Sequence, residues 1–394
     1  MSEFHGATTA LTFNSGSSSL KFGLYRFEKS EPVALISGEI ETIGEGYCRI
    51  RANDAAGDTL IDEKLPMRSP SDGVSRLGAL FDRAKASAPT AIGHRIVHGG
   101  PSLRTHCLID DAVLQTLDAA VCFAPLHVPP ALAVIRYARE HFPGLPQVAC
   151  FDTAFHATMP EVATTLPLPH ELRARGIQRY GFHGLSCESI VRQLGRNFAD
   201  KLVIAHLGNG ASVTAVKAGH SIDTSMGLTP AGGVIMGTRT GDIDPGILLY
   251  LMRGEHLDAD DLEDLINRRS GLAGISGVSS DVRKLNAVEA TEPKARLALD
   301  MFRISVAKQI AGMIVALGGI DTLVFTGGIG EHDGGARAGI VERLSWCGIH
   351  LDGDHNGEGC NSHSDVNGRT TVLVLTSRED DEIARQTRLL ARAD

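Results

Sequence analysis

The chain lacks any run approaching the roughly 18 apolar residues of a membrane span, so none is expected. It also lacks an excess of positive charge. With 38 Lys and Arg against 47 Asp and Glu, the net charge is −9, which gives no general attraction to nucleic acid or acidic membranes. An anionic substrate must then be held by local cations. The seven cysteines include no C-x-x-C pair, and an odd number without that spacing fits free thiols in a reducing cytoplasm. The opening MSEFHGATTALTF has neither the basic start nor the apolar stretch of a signal peptide, and a cytoplasmic location is the expectation. No proline-rich or low-complexity linker divides the chain, so its domains are expected to pack closely.

What is present is ordinary globular material with unusual punctuation. A length of 394 residues suggests two to three domains, and 43% hydrophobic residues suffice for full cores. The 44 glycines cluster, as at Gly327, Gly328 and Gly330, which points to specialised turns. Strands are expected at 10–13 and 20–25, on either side of NSGSSS, and again at 91–97, 146–151, 201–206, 213–217, 322–326 and 371–375. Helical periodicity marks 110–120 and 130–141, a strongly amphipathic stretch at 301–317, and the segment closing the chain. The strand, small-residue turn and strand around Gly16 return around Gly208. A period near 190 residues is too long for a solenoid and suggests two related domains.

Several segments bear chemistry. A Gly/Ser turn between strands presents backbone N–H groups and hydroxyls to an anion, and Lys21 adds charge; a plain hairpin with a surface lysine remains an equal reading. It is not a P-loop, because no G-K-[ST] follows. GGIGEH at 327–332 follows a strand, but Asp333 stands where a dinucleotide fingerprint needs its third glycine. A nucleotide phosphate or ribose at that turn and a purely structural turn both stay open. His94 and His98 in GHRIVHGG lack the Glu of a zinc-protease signature. Asp352, Asp354, Asn356 and Gly357 begin an EF-hand pattern, but His363 occupies the place of its bidentate Glu, which favours a polar loop. Arg95 within an apolar strand, Asp152 at the end of another and Arg239 between glycines are unusual charges. Structural ion pairing and a site are both open for each.

Taken together, FNSGSSSLKF, GHRIVHGG, APLH at 124–127, FDTAFH at 151–156, RYGFHG at 179–184, HLGNGAS from 206, DTSMGLTP at 223–230, MGTRTGDIDP at 236–245, FTGGIGEH and EDDEIARQT resemble the acetate kinases, in order, from about residue 9 to 387. The resemblance implies an α/β fold of duplicated ribonuclease-H-like domains, the actin-like ATPase fold, with the active site in the cleft between them. Domain bounds of 1–150, joined by the closing helix 380–394, and 151–379 are expected. The implied reaction is reversible, Mg²⁺-dependent transfer from ATP to acetate, giving acetyl phosphate and ADP, with Mn²⁺ as an alternative ion, in a homodimer.

Residue by residue, the resemblance assigns Asp152, Arg95, Arg239, His183 and His127 to catalysis. Arg95, Val97, Leu126, Phe182 and Pro230 are assigned to the acid and its methyl group. Ser17, Ser19, Lys21, His206, Asn209, Gly210, Asp281, Val282, Arg283, Gly328, Ile329 and Gly330 are assigned to the nucleotide. Asn14 and Glu379, with Asp380 beside it, are assigned to the metal. Acetate is already ionised at neutral pH and needs no general base; two anions must instead be brought together by planar, charge-assisted donors. Departures from the family pattern stand at Val128, Leu185, Cys187 and Val282. A propionate or broader short-chain carboxylate kinase is the near alternative, since one methylene changes binding by only about 1–3 kcal/mol. A nucleotide-switch protein of the actin and chaperone type is a more distant one.

Overall fold

The computed structural model describes residues 9–16, 19–42, 46–67, 69–195, 200–351, 356 and 370–392. It divides into two compact units, one comprising Met1–Ala154 with Arg378–Asp394 and the other Phe155–Ser377.

The first unit is built on an eight-stranded sheet. In chain order its strands are β1 (Thr9–Ser15), β2 (Ser19–Glu28), β3 (Glu31–Thr42), β4 (Tyr47–Asp54), β5 (Thr59–Pro66), β6 (Ala91–Ile96), β7 (Cys107–Leu108) and β8 (Gln147–Phe151). Across the sheet they run β5-β4-β3-β2-β1-β6-β8-β7. The central strand β1 is apolar on both faces because helices cover both. Leu11 and Phe13 join a core with Val134 and Ala138 of the helix Val128–His141, while Ala10 packs with Ala384 of the helix Glu379–Ala391. That closing helix lies so near β6 that a Cβ on Gly93 would collide with Thr387 and Ile383. The close fit draws the end of the chain into the first unit.

The second unit carries a five-stranded sheet of β9 (Lys201–Leu207), β10 (Ala211–Lys217), β11 (His220–Thr224), β12 (Thr322–Thr326) and β13 (Thr371–Val374), ordered β11-β10-β9-β12-β13. Numbered within the unit, that order is 3-2-1-4-5, with 1 and 2 antiparallel and 1, 4 and 5 parallel. The strands β3-β2-β1-β6-β8 of the first unit repeat it. The duplication suggested by Gly16 and Gly208 is therefore present in the topology. Each of the two hairpins closes with its glycine donating back across the turn, Gly16 N to Ser19 O at 2.8 Å and Gly208 N to Gly210 O at 3.0 Å.

Three points differ from the sequence reading. The strands β3 to β5, β7 and β11 were not expected. The helix of 301–317 begins at Pro293, and apolar residues ring it: Leu299, Phe302, Val306 and Ile310 are buried while Leu297, Met301, Ile304 and Val315 are exposed. It is not the one-sided amphipathic helix anticipated. The GGIGEH turn is itself helical, because Gly327–His332 starts directly at the end of β12. Ser17 and all of the 352–363 loop except Asn356 lie outside the described residues.

Candidate active site

In the first unit, parallel pairing of β1 with β6 sets Asn14 opposite Arg95, and pairing of β6 with β8 brings Asp152, just past Phe151, to the same end of the sheet. Arg95 donates from Nε to both Asp152 oxygens at 3.0 and 3.1 Å and from Nη2 to Oδ2 at 2.5 Å. Its Nη1 donates to Asn14 Oδ1 at 3.0 Å. Asn14 turns its amide nitrogen to Glu379 Oε2 at 3.3 Å and Asp380 Oδ1 at 3.1 Å, at the start of the closing helix. One asparagine thus joins the arginine to a pair of carboxylates.

The electrostatics follow from burial. Burial works against the Arg95 charge, but Asp152, Glu379 and Asp380 together push it above the ordinary arginine range. Burial pushes the Asp152 carboxyl up, and Arg95 pulls against it. Since a guanidinium does not surrender its proton and meets the carboxylate through two nitrogens, the ionised pair is the form this geometry supports. Burial likewise raises Asp380, which Glu379 raises further while Asn14, Lys21 and Arg95 oppose. Two carboxylates held close at such a cost fit a hard divalent cation, which takes one or two carboxylates, waters and substrate phosphates. The amide oxygen of Asn14 already serves Arg95, so Glu379 and Asp380 are the carboxylates of this group that fit a cation. Lys21 is exposed on β2 opposite Asn14. Val97 is buried, Leu126 is half-buried, and His127 stands at the N-cap of the helix Val128–His141.

In the second unit the turn after β9 is the focus. His183 adopts a left-handed backbone, φ 58°, at the start of the helix Gly184–Leu194, a conformation that non-glycine residues seldom take. It stacks on His206, with ring centroids 4.4 Å apart. A Cβ placed on Gly210 would lie 3.2 Å from His183 Nε2 and 3.6 Å from Arg239 Nη1. Two side-chain nitrogens therefore converge over one glycine. Arg239 also donates to Pro230 O at 3.1 Å, fixing the loop that carries both residues. Gly237 donates to Asn209 O at 3.2 Å, and any side chain at 237 would meet the Asn209 amide. Phe182 is buried, and its carbonyl accepts from His156 Nε2 at 2.9 Å.

A cavity of about 770 Å³ adjoins this turn, lined among others by Gly208, Asn209, Asp281, Val282, Arg283, Gly328 and Ile329. Asp281 caps its helix by accepting from Arg283 N at 2.9 Å and pairs with the Arg283 guanidinium at 2.7 Å. That bonding holds its carboxyl below the usual range. Gly330 is buried and not among the lining residues; its carbonyl accepts from the fully buried Arg337 at 2.8 Å. The sequence reading missed Ser280, Asn286, His332 and Asp333, which also line the cavity. Asn286 donates to Asp333 at 2.7 Å. Ser280 and Asn286 are ordinary polar residues with no spacing to announce them, whereas His332 and Asp333 end and follow the GGIGEH segment, which was read only for its glycines. Among the described residues, no cluster of three or more His, Cys, Asp or Glu is arranged to hold a metal on its own.

The model of the acetokinase family matches residues 9–385. The chain is 41% identical over 386 residues to an acetate kinase of Nitrobacter hamburgensis, covering 96% of this chain and 95% of that one. It is similarly 41% identical over 396 residues to acetate kinase 2 of Neisseria meningitidis serogroup B, covering 97% and 98%. Among solved structures, a propionate kinase from Francisella tularensis superposes with a TM-score of 0.91 at 36% identity, covering 97% of this chain and all of that one. The acetate kinase of Porphyromonas gingivalis gives 0.87 at 34% identity, covering 98% and 100%.

Proposed function

Because the chain belongs to the acetokinase family, we propose that it transfers a phosphoryl group reversibly between ATP and acetate, yielding acetyl phosphate and ADP. It is a phosphotransferase with a carboxyl group as acceptor. The observation that carries the residue-level reading is Arg95, a guanidinium held through Nε and Nη2 by Asp152 and through Nη1 by Asn14, beside two further carboxylates.

The acceptor is already an anion, so Asp152 has no proton to remove and serves as the orienting partner of Arg95. Arg95 and Arg239 neutralise the carboxylate and the phosphoryl group in flight, and His183 with His127 donates to the equatorial oxygens. Val97, Leu126, Phe182 and Pro230 form the apolar contacts of the acyl group. His206, Asn209 and Gly210, with Ser17, Ser19 and Lys21, face the phosphates. Asp281, Val282, Arg283, Gly328, Ile329 and Gly330 border the adenosine. Bound Mg²⁺ would supply charge neutralisation at the β- and γ-phosphates, held through Glu379 and Asp380 with Asn14 positioning both. Acceleration then comes from positioning and electrostatic stabilisation, as this reaction class requires.

The homodimer belongs to the same reading. In the helix Pro245–Gly254 no residue is buried, and Ile247, Leu249, Tyr250 and Met252 are all exposed. An apolar surface of that kind on a charged protein favours burial against a second copy. None of the described cysteines is in a disulfide, and no helix among the described residues is long and apolar enough to cross a membrane. Thiols outside disulfides are in keeping with work in a reducing cytoplasm.

The test is hydroxamate trapping of acyl phosphate from ATP and Mg²⁺ with acetate, propionate and butyrate in parallel. Greatest product from acetate is expected. Greatest product from propionate would transfer the reading to the neighbouring carboxylate kinases, and ATP hydrolysis without acyl phosphate would overturn it.

A further inference from the structure

Two serines outside every motif of the site lie behind His206. His206 Nδ1 is 2.8 Å from Ser186 Oγ, and the Ser377 hydroxyl donates to that same Ser186 oxygen at 2.9 Å. Ser377 is itself tethered: its backbone N–H donates to Glu331 Oε1 at 2.9 Å, and the same oxygen accepts from Gly327 N at 2.9 Å. Ser186 is completely buried. On the other imidazole, His183 Nδ1 is 3.0 Å from the buried Ser212 hydroxyl.

We propose that Ser377 and Ser186 form a one-way hydroxyl relay that fixes the tautomer of His206, making them positioning residues for phosphoryl transfer; this rests on the function proposed above. A hydroxyl has one proton to give. Ser186 receives the proton of Ser377, so its own is available for His206 Nδ1. An imidazole whose Nδ1 accepts must carry its neutral-form proton on Nε2. Nε2 is the atom turned toward the glycine turn, 4.0 Å from where a Cβ on Gly208 would lie. The relay therefore presents an N–H donor where phosphate oxygens are expected; the other tautomer would present a lone pair and repel them.

Stacking reinforces the choice. With ring centroids 4.4 Å apart, two imidazolium ions would repel each other, so His183 and His206 do not favour being charged together. A hydroxyl behind each Nδ1 lets both act as neutral Nε2–H donors. The tether through Glu331 ties the source of the relay to the turn at Gly327, so the hydroxyl of Ser377 is aimed by the same element that borders the cavity.

The experiment is long-range ¹H–¹⁵N correlation of the histidine rings in the full chain without nucleotide, with the His206 signals identified from a His206→Gln spectrum. The expected result is a protonated Nε2 and bare Nδ1 for His206 in the unaltered protein. In Ser377→Ala the two tautomers should mix, kcat should fall by about tenfold, KM for acetate should stay unchanged, and Ser377→Thr should restore both spectrum and rate. A proton on Nδ1 in the unaltered protein would overturn the proposal, as would a Ser377→Ala variant with unchanged tautomer and kcat. The spectrum needs no substrate, so the relay stands or falls separately from the acyl phosphate assay.

Discussion

Removing Arg95 should damage the protein in two separable ways. Asp152 is 1% exposed and receives three hydrogen bonds from Arg95, so Arg95→Ala leaves a buried carboxylate with its principal counter-charge gone. Breaking a buried pair from one side typically costs about 3–5 kcal/mol. At roughly 2–4 °C per kcal/mol for a unit of this size, Tm should fall by about 6–20 °C. The buried partner argues that the variant is measurably weakened. Arg95→Ala/Asp152→Ala removes both charges and should regain most of the lost Tm, because no uncompensated ion remains. Its activity should not return, since the donor to the transferring group is still absent, at a cost of about 10²-fold or more in kcat. Calorimetry and the hydroxamate assay on the single and double variants read the two effects independently. A single variant melting within a degree of the unaltered protein, or a double variant no more stable than the single, would refute the account of Asp152. Near-normal turnover in either would refute the catalytic role of Arg95.

Gly210→Ala introduces no backbone conflict, but its methyl would sit 3.2 Å from His183 Nε2; kcat should drop by about 10²-fold with Tm nearly unchanged, measured by initial rates and thermal melts. His94 is fully buried against Gln147, and burial lowers its pKa to about 4. A base depressed on folding contributes stability above its unfolded value near 6.5 and loses it as pH falls toward 4, a span of about 3 kcal/mol. Urea titrations at pH 6.5 and 4 should therefore show a smaller acid loss for His94→Gln. Leu249→Glu with Tyr250→Glu places charge on the exposed helix Pro245–Gly254 and should yield monomers by light scattering; an unchanged dimer mass would exclude that face.

How much was legible varied with where the information resides. The two glycine hairpins and the central strands were readable because a strand covered on both faces is a short apolar run, as in TALTFNS and TLVFT. The hairpin arm β3 to β5 was not. Its outermost strand, TLIDEKLP, is mostly exposed, and an edge strand carries charge that discourages pairing with other chains and hides the alternation. On Pro293–Leu317 the expected single apolar side was too narrow, since one side meets the core while Leu297, Met301 and Ile304 face out. At the site, Arg95 and Asp152 stood out as charges in apolar strands. Ser186 and Ser377, 191 residues apart, sit in ordinary helical and turn sequence, and only the fold brings their oxygens to 2.9 Å.

The repeated 3-2-1-4-5 order explains why the chemistry divides as it does. Each unit offers the same place, the hairpin of its first two strands beside the end of its fourth, and each fills it differently. In the first unit that place holds Asn14, with Arg95 in register on the neighbouring strand. In the second it holds His206, with Thr326 in register on β12. A charge at the end of β6 draws in counter-charges, and Asp152, Glu379 and Asp380 gather around Arg95 as one ionic group. A neutral imidazole at the end of β9 draws in hydroxyls instead, Ser186 and Ser377. Duplication supplied two equivalent scaffolds, and different side chains at their strand ends, Asn14 with Arg95 in one and His206 with Thr326 in the other, leave one place ionic and the other hydroxyl-rich. The ionic group fits a divalent cation, whereas the second unit offers an open glycine turn with an adjoining cavity.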